Sequence, residues 1–407
     1  VLAVEALRER FERELAGVTV PPLTLVERTP STPPALADID AAVAQALRDV
    51  AMPRGSVAIG VGSRGIAHIG AFVAAVVRAV RAGGGEPFIV PAMGSHGAST
   101  AAGQVEVLAH LGVTEGTAGA PVRATMDTVV VATLPNGVPV HVDALAMRAD
   151  AIVPVNRIKP HTSFRGEYES GVAKMLAVGF GKQDGAGAIH SLGWGGMRAN
   201  VPDAARAVIA TGKVAFGVAI VENADEEPCR VVALPASEIL AREPALLEEA
   251  KANLARLPFD AIDVLVVERV GKNISGGGAD PNVTGRFPSE YISGGPRVTR
   301  LVYLAFTAES DGNGNGVGLA DVVTSALAAR YDPLATYLNA LTTTTAGNAR
   351  LPMVMPTDEL AIKAALRMCP DLAPADARIV RIADTLHLNR MWLSPAALRA
   401  YRDQGTV

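Results

Sequence analysis

Cysteine is scarce. Cys229 and Cys369 are the only two in 407 residues, far apart and without Cys-x-x-Cys spacing. That excludes a disulfide scaffold and a cysteine-built zinc or iron-sulfur cage, and it fits a reducing cytoplasm. A basic excess is also lacking: the net charge is -4, and Lys and Arg are dispersed along the chain. Nucleic acid is therefore not an expected partner. No stretch reaches the roughly 18 uninterrupted apolar residues that a membrane span needs, so no membrane partner is expected and the protein should be soluble. Low-complexity tracts and short internal repeats are absent. Charge is sparse too, at 19% of residues against 49% hydrophobic, which sets disorder aside.

What remains is a globular chain longer than one hydrophobic core usually supports, so two domains are expected. Residues 1–17 place Glu5, Arg8, Arg10, Glu12 and Glu14 among apolar positions, an amphipathic helix rather than a secretory signal. Val- and Ile-rich runs then alternate with Ala-rich amphipathic segments, the pattern of a mainly parallel α/β sheet. The clearest strands are 56–61, 87–91, 151–155 and 214–221. Between the first two, Ile69, Phe72, Val73, Val76 and Val80 share one face of a helix over 66–81. A charged helix over 243–256 stops at Pro258, before a strand at 262–267. The boundary is placed there, giving a larger N-terminal domain, 1–258, and a smaller C-terminal α/β domain, 259–407. Further strands are expected near 301–306 and 378–382, and Thr357 caps a helix with Asp358 and Glu359 in its first turn.

Gly60-Val-Gly62-Ser-Arg-Gly65 follows a strand and precedes a helix, as in a dinucleotide fingerprint. The carboxylate that should end the second strand is missing: Glu86 precedes it, and the strand runs out into Met93-Gly94-Ser95-His96. A tight turn needing glycine for sterics accounts for the pattern equally well. A phosphate or carboxylate can still sit at the helix N-terminus near Arg64.

Three of the seven histidines lie in Gly-rich or Pro-bounded loops just after expected strands, where open α/β sheets collect their sites. They are His96, His161 in Lys159-Pro-His-Thr-Ser-Phe164, and His190. Each alone could be a hydrogen-bonded structural residue; the shared setting singles them out. His68, His110, His141 and His387 are read as structural.

Lys159-Pro-His161 followed by Ser170-Gly-Val-Ala-Lys174 resembles the Pro-His segment and downstream Ser-Gly-x-x-Lys of the lactate racemase family. Gly94-Ser-His96 resembles its Gly-Thr-His, and Ser63-Arg64 its Thr-Arg. The interval from Lys174 to His190 matches the family's interval from its cofactor lysine to its nickel-ligating histidine. The resemblance implies a two-domain α/β fold with the site in the cleft between the domains. It implies a racemase or epimerase of a small 2-hydroxy acid that uses a nickel-pincer mononucleotide, a pyridinium nucleotide held through a thioamide. By the same resemblance Lys174 tethers the cofactor, His190 ligates nickel, His96 and His161 are the acid/base pair, and Arg64 holds the substrate carboxylate. Gly62, Ser63 and Gly65 are further candidate cofactor contacts, and the enzymes that make the cofactor are expected partners.

The chain departs from the family pattern at Gly65, where the family has proline, at Gly97-Ala98, where it has Arg-Pro, and by a short insertion between His161 and Lys174. The insertion brings Arg165, Glu167, Tyr168 and Glu169, so a substrate larger or more polar than lactate is expected, with Arg165 a substrate contact. Lys272 and Arg286, flanking Gly276-Gly-Gly278-Ala-Asp280, are the candidates from the C-terminal domain.

Two histidines in separate loops suit inversion at carbon, which needs groups on both faces of the substrate. Hydride transfer would require a cofactor, since no side chain accepts hydride. Two other readings stay open: a pincer-free nucleotide-dependent oxidoreductase or lyase on the same fold, and a non-catalytic small-acid binding protein.

Overall fold

A computed structural model describes residues 4–29, 31–63 and 65–403, apart from the side chain of Thr342. The fold is α/β. In chain order the strands are β1 (Thr24–Glu27), β2 (Gly55–Val61), β3 (Gly85–Pro91), β4 (Thr128–Thr133), β5 (Pro139–Asp143), β6 (Ala151–Ile158) and β7 (Phe216–Glu222). They continue with β8 (Pro228–Pro235), β9 (Ala261–Val270), β10 (Arg297–Phe306), β11 (Val322–Thr324), β12 (Met353–Met355), β13 (Ile379–Ile382) and β14 (Arg390–Leu393).

The chain forms two compact units, a first of Thr32–Leu254 and a second that joins Val1–Ser31 to Ala255–Val407. Sequence order alone assigns the N-terminal residues to the first domain. They belong instead to the second unit, because β1 pairs antiparallel with β14, Thr24 opposite Leu393. The Arg28 guanidinium fixes that return by donating to Leu388 O at 3.1 Å and Arg256 O at 2.6 Å.

The sheet of the second unit runs β1-β14-β13-β9-β10-β11-β12. Strands β13 to β12 are parallel, and β14 and β1 close one edge antiparallel. That of the first unit runs β3-β2-β6-β7-β8, parallel except for its edge strand β8, with β4 and β5 as a separate hairpin. Strand β7 is buried along its whole length, as expected of a strand covered on both faces. On one face lies the helix Ile69–Ala82, which inserts Phe72, Val73, Val76 and Val80 at helical spacing. On the other lie the helices Gly193–Ala210 and Ile239–Asn253 and the β4–β5 hairpin. No described helix is long and apolar enough to cross a membrane.

The order of this sheet positions the site. From β2 the chain adds β3 on one side and later β6 on the other, so the connections leaving β2 and β6 diverge. Open parallel sheets bind ligands at such a switch point, beyond the C-terminal strand ends.

A buried ion pair and a buried glutamate inside the first unit bear on its energetics. Lys182 is fully buried, adopts the left-handed φ of +52°, and lies 2.9 Å from the equally buried Asp143 at the end of β5. Burial lowers the ammonium pKa and Asp143 works against that shift. Asp143 also accepts from Leu145 N and Ala146 N, at 2.7 and 3.0 Å. Glu243 is buried, has no ion pair among the described residues, and accepts from the backbone of Val172 and Ala173, the latter at 2.8 Å. Burial raises its pKa from 4.5 to about 7.

Removing one member of a buried ion pair leaves the other uncompensated, a loss of about 3–5 kcal/mol. Lys182→Met is expected to lower stability by that amount in urea titration, and adding Asp143→Asn should recover part of it. An unchanged midpoint for Lys182→Met would show that the ammonium contributes nothing.

The sign for Glu243 is opposite to that of a salt-bridged carboxylate. Its folded pKa is raised, so its stability contribution is complete below pH 4.5 and is lost as pH rises through about 7. Glu243→Gln, uncharged throughout, is expected to gain on the parent between about pH 5 and about pH 8, approaching 3 kcal/mol. Parallel urea midpoints at the two pH values would contradict this.

Candidate active site

At the end of β2 packing demands one glycine and crowds a second. A Cβ on Gly60 would lie 2.1 Å from Phe180 Cζ, and one on Gly62 would lie 3.2 Å from Met175 Cε. Both neighbours belong to the segment that follows Lys174, so the apparent dinucleotide fingerprint makes room for that segment. Gly65 has nothing within 4 Å of such a Cβ; its carbonyl accepts from Arg157 at 3.1 Å. Arg64 lies outside the described residues.

Beyond β3 the chain makes a tight turn, with positive φ at Gly94, Gly97, Ala98 and Ser99. His96 stands exposed on this turn, and its Nδ1 meets Ser63 Oγ from the loop after β2. The buried Gln104 donates to Gly94 O at 2.8 Å and to His96 O at 3.3 Å. The amide of Gly94 donates to Gly179 O at 3.0 Å, which ties the turn to the Lys174 segment.

After β6, paired bonds between Lys159 and Ser170 close a loop over 160–169. His161 is buried, at 7% exposure, with its ring 4.6 Å from Phe164 and 5.4 Å from Trp194 between centroids. Its Nδ1 accepts from Ser163 N at 3.0 Å, so a neutral ring carries its proton on Nε2. Glu169 Oε2 accepts from His161 N at 2.7 Å, and the same carboxylate contacts Lys251 at 3.0 Å and Arg165 at 3.3 Å. Arg165 also donates to His161 O at 2.7 Å.

Most of the inserted residues, expected beside a polar substrate, also brace this loop. Tyr168 is buried and donates to Leu240 O. That carbonyl is the one Pro244, four residues on inside the helix Ile239–Asn253, cannot satisfy. Glu167 is the exposed member.

Lys174 ends the short helix Val172–Lys174, where Glu243 takes the first backbone N–H groups. A Cβ on Gly171 would sit 2.2 Å from Glu243 Oε1, so the glycine of Ser-Gly-x-x-Lys is a steric necessity. A π-helical turn, Met175–Gly179, follows directly. Such turns are rare and often mark functional sites. The helix Lys182–His190 then ends on His190, whose Nδ1 bonds Ala186 O at 2.7 Å. Burial lowers the pKa of this imidazole, the bond to Ala186 opposes the shift, and the charge on Lys174 adds to it. A neutral ring that donates from Nδ1 keeps an Nε2 lone pair, the form that binds a metal. Trp194 packs edge-on to His190 at 5.5 Å and so bridges it to His161.

One unit thus brings together Ser63 with His96, His161 with His190 across Trp194, and Lys174 with His190. Lys272 and Arg286 lie in the other unit. Lys272 donates to Gly276 O at 2.7 Å. The Arg286 guanidinium is engaged by Asp321 at 2.6 Å and by the carbonyls of Val298 and Thr299. Among the described residues no three His, Cys, Asp or Glu side chains group as a metal cage. The other histidines have local partners: His68 contacts Glu227 at 3.2 Å, His141 contacts Thr128 at 2.9 Å and His387 contacts Asp384 at 2.6 Å, while His110 closes the helix Ala101–His110. Sequence reasoning passed over Gln104, Lys182, Trp194 and Glu243. Of these only Trp194, in Gly193-Trp-Gly-Gly, sits in a stretch whose composition marks it.

Residues 65–242 match the model of a family described as a domain of unknown function, DUF362. No curated protein matches the chain. Among solved structures, the chain is similar to the lactate racemase apoprotein from Thermoanaerobacterium thermosaccharolyticum, at 12% identity and a TM-score of 0.49, over 86% of this chain and 92% of that one. It is also similar to a protein from Thermotoga maritima, at 15% identity and a TM-score of 0.49, over 65% of this chain and 69% of that one.

Proposed function

We propose that this protein racemises or epimerises a 2-hydroxy acid with the help of a nickel-pincer nucleotide. One observation carries the reading: His190 and Lys174 lie within electrostatic reach of each other, on one segment, with the His190 ring held by Ala186 O so that Nε2 stays open. A single imidazole is a sufficient protein ligand for a metal whose other positions the cofactor fills. The absence of a dense cage among the described residues is compatible with that arrangement.

Lys174 would hold the cofactor, and His190 its nickel. When bound, the group would supply the hydride acceptor that side chains lack. The residues of this chain handle the proton. His96 and His161 project from loops on different strands, after β3 and after β6, and each would serve one face of the substrate, taking or returning its hydroxyl proton. Ser63 holds His96 through Nδ1. The backbone amide of Ser163 holds His161 through the same ring nitrogen, so Nε2 would be the nitrogen that exchanges the proton in each ring. Phe164 and Trp194 shield the His161 side from water, which strengthens the polar contacts made there. Substrate and the enzymes that build the cofactor are the partners this reading requires.

Protein matured with those enzymes should carry nickel and a nucleotide-sized mass adduct. Lys174→Ala should lose the adduct, and His190→Ala should lose nickel while keeping it. Active protein lacking both would end the proposal.

Turnover in heavy water separates hydride transfer from proton abstraction at carbon. The α-position should stay largely unlabelled, and His96→Ala or His161→Ala should each slow both directions by roughly 10² to 10⁴. Efficient α-deuteration, or tight binding of hydroxy acids without turnover by nickel-loaded protein, would point elsewhere.

A further inference from the structure

Gln104 lies on the helix Ala101–His110, fully buried, and takes no part in the chemistry described above. All of its polar atoms are committed. Its Oε1 accepts from Lys182 Nζ at 3.1 Å, and its Nε2 donates to Gly94 O at 2.8 Å and His96 O at 3.3 Å. Amide orientation is often ambiguous, but here only one choice satisfies every neighbour. An ammonium can only donate, so Oε1 must face Lys182; the two carbonyls can only accept, so Nε2 must face the turn.

Lys182 is itself held. It pairs with Asp143 at 2.9 Å and donates to Pro91 O, the last residue of β3, just before the His96 turn. The same lysine opens the helix that ends on His190. The turn it steadies is under strain, with Ala98 and Ser99 both at positive φ, a conformation that side chains disfavour and that needs outside support.

We propose that Gln104 is a positioning residue for His96, and that the buried Lys182 sets the orientation of its amide. The assignment rests on the reading above for what His96 does, though not for where it is held. Without the two Nε2 bonds the carbonyls of Gly94 and His96 would lose the buried donor that joins them, and the ring would lose its fixed approach to Ser63 Oγ.

The test uses the full chain labelled with [15N]histidine, with long-range 1H–15N spectra that report the tautomer of each ring. His96→Ala, His161→Ala and His190→Ala assign the signals. Gln104→Met keeps the volume and removes donors and acceptor alike, whereas Gln104→Glu keeps an acceptor for Lys182 and puts a carboxylate oxygen where the amide donors were. In both variants the His96 nitrogens should move toward the averaged shifts of a free imidazole, with His161 and His190 unchanged. If Gln104→Met does not fold, Gln104→Glu decides alone, since it retains the partner of the buried ammonium.

Unmoved His96 signals would overturn the proposal, and so would a loosening that shifts all three histidines equally, which would make Gln104 an ordinary core residue. With a 2-hydroxy acid substrate, kcat should fall on the order of 10²-fold with KM little changed, the loss expected for a misplaced catalytic group. Shifted His96 signals in a protein that turns over no hydroxy acid would uphold the positioning role and refute the proposed activity.

Discussion

A lysine ammonium sealed in the core is the constraint on which the first unit depends. An unpaired charge there would cost several kcal/mol, so every group around Lys182 must answer it. Asp143 supplies the counter-charge, and Pro91 and Gln104 supply acceptors. Each answer anchors something else: Asp143 ends the β4–β5 hairpin and caps the next helix, Pro91 ends β3, and Gln104 grips the His96 turn. The left-handed backbone at Lys182 is tolerated because so many contacts determine it.

The sheet order decides where those anchored pieces meet. Because β3 and β6 flank β2, the loops bearing Ser63, His96 and His161 all leave the same end of the sheet. The Lys174 segment then packs directly on the glycines of β2, through Phe180 and Met175. Covering a strand end with a π-helical turn leaves Lys174 on one side of that contact and the helix to His190 on the other. A buried glutamate fixes the start of the segment through backbone hydrogen bonds. The segment is therefore specified from both ends by buried polar groups, a costly arrangement that apolar packing alone would not require.

Much of this was legible in the sequence, and the reasons are local. The strands at 55–61 and 85–91 announce themselves as Val/Ile runs after glycine, and the helix between them by its apolar stripe. His96 and His161 were legible because they follow such strands; His190, expected in a loop after a strand, instead closes the helix Lys182–His190. The pairing of β1 with β14 was not, since nothing near residue 24 encodes a partner more than three hundred residues away. Lys182 and Glu243 were invisible for a different reason: a lysine in a helical segment and a glutamate in a charged helix read as solvated, and only tertiary context buries them. For Arg165 and Glu169 the sequence shows the charges but not the partners that the fold gives them. Each is turned back onto the loop that carries His161.

The glycines teach the same lesson in sharper form. Gly-x-Gly after a parallel strand says only that something approaches the backbone too closely for a Cβ. A pyrophosphate would impose that requirement, and so does the ring of Phe180. The spacing cannot distinguish them, because the steric demand is identical. What distinguishes them is where the neighbouring atoms come from, and at Gly60, Gly62 and Gly171 they come from the chain itself: Phe180, Met175 and Glu243. Gly60 and Gly171, and more loosely Gly62, thus serve one purpose, the close seating of residues 171–180 against the sheet. Gly65 has no such neighbour among the described residues, so packing does not account for it.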